Sequence, residues 1–304
     1  MIALGKSLVA GLGVAAVLAV AACGAGSAPA GGRLEVSAAF YPLQYAVEQV
    51  GGDHVTVVGL TKPGAEPHDL ELTPRQVADL TRSTLIVYEK GFQPAVDDAV
   101  ATVGGSRGFD VSPAADLTLA PPTGEAGATA LSVDPHFWLD PVRYAHVVTA
   151  IGDELAAKDP AHAAAYTANA TAFVARLTTL DAAFRTGLAH CADTDIVTGH
   201  AAFGYLAQRY GLTQVSVSGI SPDVEPTASQ MSDIVSLVRS HKVTTVYAET
   251  LVSPALVETI ARETGASVKV LDPIEGITDS SAGTDYLEVM RSNLATLEAG
   301  QRCA

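Results

Sequence analysis

The sequence predicts an α/β protein of two lobes joined by a helix, and three observations carry that reading. Short apolar stretches alternate with helical patterns from Leu34 to Val111, and the same alternation resumes at Asp195. Between them, from Pro141 to about Leu188, nearly every position favours helix, broken only near Asp159-Pro160. Strands that alternate with helices argue for parallel sheets, because each parallel connection needs a crossover. The helical middle reads as a spacer.

In the first lobe, Leu34 to Phe40 starts as an alternating apolar strand, and Tyr41-Pro42 opens a helical pattern that Gly51-Gly52 stops. His54 to Leu60 is the next strand, and Thr61 to Leu72 is a turn-rich loop holding Pro63, Gly64, Pro67 and His68. Thr73-Pro74 begins a short helix, with threonine suited to the N-cap and proline to the first helical position. Strand Thr84 to Tyr88, helix Pro94 to Val103 and a short strand near Gly108 to Val111 complete the series, and Ser112 to Val133 is loop.

In the helical middle, Tyr166, Phe173, Leu177, Leu180 and Phe184 recur at helical spacings and mark one buried stripe. Strand Asp195 to Thr198 then leads to His200, and helix Ala201 to Tyr210 stops at Gly211. Strand Leu212 to Ser218 precedes a helix capped by Thr227. Strand Thr244 to Ala248, helix Pro254 to Thr264, strand Ser267 to Leu271 and a helix from about Thr284 to Ala299 finish the chain. The expected plan is a processing segment over 1–22, a tether over 23–33, a first lobe over 34–158, a linking helix over 159–189 and a second lobe over 190–304.

At the N-terminus, Lys6 is followed by an apolar run, Leu8 to Ala22, that is short for a membrane span and ends in Val20-Ala21-Ala22-Cys23. This segment resembles a bacterial lipoprotein signal peptide, which implies cleavage before Cys23 and lipid on that cysteine; an uncleaved signal anchor is the alternative. Gly24 to Gly32 is a small-residue tether, and a multi-chain lipid anchor holds a soluble domain stably at a membrane surface. The domain is therefore expected outside the cytoplasmic membrane, on its outer face, as a monomer.

The formal charge of -15 disfavours nucleic acid as a partner. Composition, 48% hydrophobic and 17% charged, fits a packed globular body. In an oxidising compartment Cys191 and Cys303 form an even pair and a disulfide candidate, with two free buried thiols as the other possibility.

Three histidines stand in loop contexts far apart in sequence: Pro67-His68, Pro135-His136 and Gly199-His200. Ligands of parallel α/β sheets bind outside the carboxyl ends of strands. His68 and His200 follow predicted strands, and so does Asp272 in Leu271-Asp272-Pro273, while His136 precedes the helical middle. Two of the four belong to each lobe, so a site made of them lies between lobes. Three imidazoles and a carboxylate suit four-coordinate zinc, with nearby Glu249 and Glu275 offsetting charge. Manganese prefers more oxygen ligands and is the less favoured choice; iron and nickel stay open. His54, His146, His162, His190 and His241 lack the loop signature and are read as structural or surface residues.

Pro63-Gly64-Ala65-Glu66-Pro67-His68-Asp69, Asp134-Pro135-His136-Phe137-Trp138-Leu139-Asp140-Pro141, His200-Ala201-Ala202-Phe203-Gly204-Tyr205, Gly219-Ile220-Ser221-Pro222, Glu249-Thr250-Leu251 and Leu271-Asp272-Pro273 together resemble the solute-binding subunits of zinc and manganese ABC importers. The likeness runs from Leu34 to the C-terminus in one order. It implies a four-stranded parallel sheet with helices in each lobe, one long connecting helix that limits hinge motion, and metal ligands at His68, His136, His200 and Asp272. Manganese members of the family commonly place glutamate where His200 stands, so the resemblance points to zinc. Two departures stand out: many relatives have aspartate where this chain has Ala201, and many zinc members carry a histidine-rich loop where Ser112 to Val133 has none.

The resemblance implies capture of Zn2+ and its delivery to an ABC permease driven by a cytoplasmic ATPase, with no reaction catalysed. A zinc hydrolase with Glu66 or Glu249 as base is the enzymatic alternative, but no His-Glu-x-x-His run or Gly-x-Ser-x-Gly elbow accompanies it. A surface adhesion lipoprotein is the third class, with no exposed aromatic patch or repeat in its favour.

Overall fold

Two four-stranded parallel sheets with the same strand order organise the chain, and a pair of long helices lies between them in sequence. The computed structural model describes residues 1–2, 32–121 and 132–304. Cys23, the expected signal segment, most of the expected tether and the middle of the Ser112 to Val133 loop lie outside the described residues.

The first sheet is built from β1 (Leu34–Ala38), β2 (Val55–Gly59), β3 (Leu85–Tyr88) and β4 (Gly108–Asp110), in the order β2-β1-β3-β4. Helices α1 (Tyr41–Gly51), α2 (Pro74–Leu80), α3 (Pro94–Ala99) and the short α4 (Ser112–Ala115) connect or follow them. Thr73 caps α2 as expected: its hydroxyl accepts from Gln76 N–H while the Gln76 side chain returns to Thr73 N–H. The helix expected to reach Val103 is α-helical only to Ala99 and continues as a π turn over Val100–Gly104.

The helical middle is α5 (Pro141–Lys158), begun by the Asp140 carboxylate accepting from Val142 N–H, and the 25-residue α6 (Ala163–Gly187). At 1.5 Å per residue α6 spans roughly 37 Å. Asp159 breaks the run: it bonds His162 Nδ1 (2.7 Å) and accepts from Tyr166 Oη (2.9 Å), and Pro160 cannot continue a helix from it.

The second sheet contains β5 (Asp195–Thr198), β6 (Thr213–Ser216), β7 (Thr245–Ala248) and β8 (Ser267–Val270) in the order β6-β5-β7-β8. Its helices are α7 (Gly204–Tyr210), α8 (Ala228–Ser240), α9 (Ala255–Thr264) and α10 (Tyr286–Gly300). α7 starts three residues later than the sequence suggests, because Ala201 N–H is committed to Gly219 O (2.8 Å) rather than to a helix. Cys191 and Cys303 are joined by a disulfide, which ties the C-terminus to the segment that enters β5.

Alternation along the second sheet sorts its side chains into two cores. Val197 and Val246 pack with Ile234, Val238, Val257 and Ile260, whereas Ile196 and Tyr247 join a larger core that also contains the first sheet, α5 and the stripe Tyr166, Phe173, Leu177, Leu180 and Phe184. That larger core runs without interruption from the first sheet to the inner face of the second, and residues 33–304 form one compact unit. Among the described residues no helix is long and apolar enough to cross a membrane.

Candidate metal centre

Strand ends place the site. His200 lies two residues past β5 and Glu249 one residue past β7, two neighbouring strands whose connections leave in opposite directions in the order β6-β5-β7-β8. That divergence opens a crevice at their carboxyl ends. His68 comes from the loop after β2, His136 from the segment before α5, and Glu275 from the loop after β8.

Four side chains meet there. Glu275 Oε1 lies 3.3 Å from His68 Nε2, 3.1 Å from His136 Nε2 and 3.1 Å from His200 Nε2. All four residues are buried, with Glu275 only 1% exposed. Their candidate ligand atoms all fall within 4.8 Å of one another. Three imidazole nitrogens aimed at one point, with a carboxylate on that point, form a donor set that a divalent ion fits by replacing the protons they share.

Two of the imidazoles are fixed by a second carboxylate. Asp134 Oδ1 bonds both the backbone N–H of His136 (2.9 Å) and its Nδ1 (2.8 Å). Glu249 does the same for His200, Oε1 accepting from its backbone N–H (2.8 Å) and Oε2 holding its Nδ1 (2.6 Å). With Nδ1 engaged this way, Nε2 is the nitrogen aimed inward, and once its proton is displaced its lone pair faces the site, as a metal-ligating histidine requires. Gly199 permits the Glu249 approach, since a Cβ there would sit 2.6 Å from Glu249 Oε1. Apolar rings wall the first-lobe side: Phe92 is 4.7 Å from the His68 ring and Trp138 is 5.2 Å from that of His136, centroid to centroid.

Charge is distributed accordingly. Burial pushes the Glu275 carboxyl up, but the charge of His200 and hydrogen bonds from the three imidazoles hold it well below the usual range. Burial likewise opposes a charge on His200, yet Glu249 and Glu275 raise it well above the ordinary imidazole value; Asp134 and Glu275 raise His136 against the same penalty. His68 is lowered by burial, which outweighs Glu275.

Asp272 stands outside this cluster and Glu275 occupies the place expected of it. Its backbone exchanges two hydrogen bonds with the Asn293 amide (2.9 and 2.7 Å), and its Oδ1 accepts from Ile274 N–H (2.8 Å). That last bond closes a turn in which Ile274 has φ 59°, a left-handed conformation that a β-branched residue adopts only when its surroundings impose it. The turn aims Glu275 at the histidines, so Asp272 shapes the loop. In sequence the two acids differ by three residues in one strand-following loop, and spacing alone cannot choose between them.

Glu66 braces the His68 turn: its Oε2 accepts from the backbone N–H of His68 (3.0 Å) and Asp69 (3.3 Å), and burial together with Glu275 pushes its carboxyl up to about 8. The remaining histidines hold surface positions, His241 bonded to Asp195 (2.6 Å) and His54 stacked on His162 at 4.0 Å.

A family model described as zinc-uptake complex component A, periplasmic, matches residues 36–300. The chain belongs to this family. As a zinc-uptake component A protein it is 35% identical over 281 residues to the zinc-binding lipoprotein AdcA of Streptococcus pneumoniae, a match covering 88% of this chain and 56% of that one. The chain thus spans little more than half the length of that relative. It is 32% identical over 300 residues to the high-affinity zinc uptake system protein ZnuA of Bacillus subtilis, covering 93% of this chain and 94% of that protein. The crystal structure of the Zn(II)-bound ZnuA-like domain of Streptococcus pneumoniae AdcA superposes with a TM-score of 0.75 at 34% identity, covering 89% of this chain and 99% of that one.

Proposed function

We propose that this protein is the extracytoplasmic solute-binding subunit of an ABC importer, which captures Zn2+ with His68, His136, His200 and Glu275 and delivers it to a membrane permease driven by an ATPase. The observation that carries the reading is the convergence of three Nε2 atoms on Glu275 Oε1, all buried and two of them backed by carboxylates. Family membership and zinc-binding relatives support the choice of metal.

Four protein ligands fill a tetrahedral zinc shell, so no water position is left for hydrolysis. Delivery needs only capture and release. The segment around Cys23 supports a lipid tether that would keep this cycle beside the permease. Calorimetric titration of the metal-free protein tests the proposal: one zinc per chain is expected, with affinity lost when His136 and His200 are replaced by alanine. Unchanged affinity in that variant would remove the assignment.

A further inference from the structure

All four proposed ligands are buried, so zinc cannot enter or leave unless something moves. The continuous core of the two lobes argues against parting them as rigid halves. Two residues one turn apart on α7 instead lock the His200 side to the His136 side. Tyr205 Oη donates to Asp134 O (2.9 Å) and accepts from Thr118 N–H (3.1 Å) and Leu119 N–H (3.3 Å). Arg209 Nε lies 3.2 Å from Asp140 Oδ1 and 2.6 Å from Asp181 Oδ1 on α6. Residues 134 and 140 flank His136, so α7 brackets the second histidine on both sides. The approach is close enough that a Cβ on Gly204 would sit 2.5 Å from Asp134 Oδ2.

His68 and Glu275 are held differently. Among the described residues, the only hydrogen bond between residues 61–69 and 275–284 is the one joining those two side chains; elsewhere the seam is lined by small groups, and a Cβ added to Gly276 would come no nearer than 3.9 Å to Ala65 O and Gly64 N. A cavity of about 280 Å³ lined by Tyr41, Gln44, Lys62, Glu275, Gly276 and Thr284 adjoins this seam. Just upstream, the loop is anchored by Trp138 Nε1 donating to Pro273 O (2.8 Å), and the left-handed Ile274 follows.

We propose that Tyr205 and Arg209 are positioning residues that keep His136 and His200 as one preformed half of the site, and that zinc passes on the other side, between residues 62–65 and 276–284, as the latter segment swings about Ile274. This rests on the zinc reading above.

Hydrogen-exchange mass spectrometry of the full chain, with and without one equivalent of zinc, tests it. Removing zinc is expected to raise exchange in residues 61–70 and 276–284 and to leave 134–140 and 200–210 unchanged. An equal rise in both pairs overturns the inference, whereas absence of stoichiometric zinc binding overturns the functional reading beneath it. Arg209→Ala combined with Tyr205→Phe is expected to make 134–140 metal-sensitive and to speed zinc loss to a chelator by at least about tenfold, the factor a single net hydrogen bond supplies, since the pair of changes removes several. Arg209→Lys on the Tyr205→Phe background should recover part of that rate; faster loss with no new exchange at 134–140 contradicts the positioning role. Oxidising a Gly64→Cys, Thr278→Cys pair across the seam is expected to slow zinc release, and release unchanged by the cross-link would place the route elsewhere.

Discussion

Glu249 grips His200 with both carboxylate oxygens, one on the backbone N–H at 2.8 Å and one on Nδ1 at 2.6 Å. The residue two places past β5 and the residue one place past β7 thereby become a single unit, and the orientation of the third imidazole is set by a side chain that never reaches the metal position.

Replacing Glu249 with glutamine keeps the shape but removes the charge that holds Nδ1–H. Zinc affinity is expected to fall about 10- to 100-fold, the usual effect of losing such a partner, while the stoichiometry stays at one. Competition titration against a chelator measures it, and wild-type affinity would show that Glu249 does not orient the ligand.

Glu275→Ala and Asp272→Ala should separate binding from loop shape. The first removes a proposed ligand, so zinc affinity should drop sharply while the metal-free fold survives. The second strips the Ile274 N–H of its acceptor inside the protein, which costs about 1–3 kcal/mol of stability and weakens zinc less. Calorimetry and denaturant melts on both variants check this, and the reverse order of effects would restore Asp272 to the site.

Stability and affinity should respond to pH with opposite signs. His200 and His136 titrate above their unfolded value of about 6.5, so the stability they contribute to the metal-free protein is full below that pH and is lost as pH rises through their folded values. Glu275 is depressed, so its contribution is present above the unfolded value of about 4.3 and is lost as pH falls through its folded one. His68 is lowered by burial, so its contribution has the opposite sign: stability is lost as pH falls below its unfolded value of about 6.5. From about pH 6.5 upward the metal-free protein should therefore lose stability while zinc binds more tightly, because the ion must displace the protons on these imidazoles. Thermal melts without metal and zinc titrations at the same pH values test both slopes.

Reduction of the Cys191–Cys303 bridge should lower the unfolding midpoint and leave zinc stoichiometry unchanged. The loop it closes, 112 residues, corresponds to at most about 4 to 5 kcal/mol on the chain-entropy model. Melts with and without reductant check the first half, and zinc titration the second.

Much of this was legible before any coordinates. Alternating strands and helices predict both sheets, and Thr73 and Thr227 cap their helices as their positions suggest. His68, His136 and His200 stand out because each sits in a loop flanked by proline or glycine, and the structure brings them together. Less legible was anything that depends on which way a loop turns. Asp272 and Glu275 are both acids past β8, and only the left-handed Ile274, stabilised by Asp272 itself, sends the second one inward. Asp134 stands two residues before His136, and only the bend of that segment turns its carboxylate back onto the imidazole; the role of Glu249 on His200, and of Tyr205 and Arg209 across α7, depends on pairings over long sequence distances that local pattern does not encode. The continuous core between sheets was hidden for the same reason: alternation in β5 and β7 shows that both faces are buried, not what covers them.

Anomalous diffraction at the zinc edge, on crystals of protein loaded with one equivalent of zinc, tests the central claim most directly. A single strong peak is expected at about 2.0–2.2 Å from Nε2 of His68, His136 and His200 and from a carboxylate oxygen of Glu275. A peak bonded to Asp272 with Glu275 turned away, or one lying outside the three histidines, would contradict it.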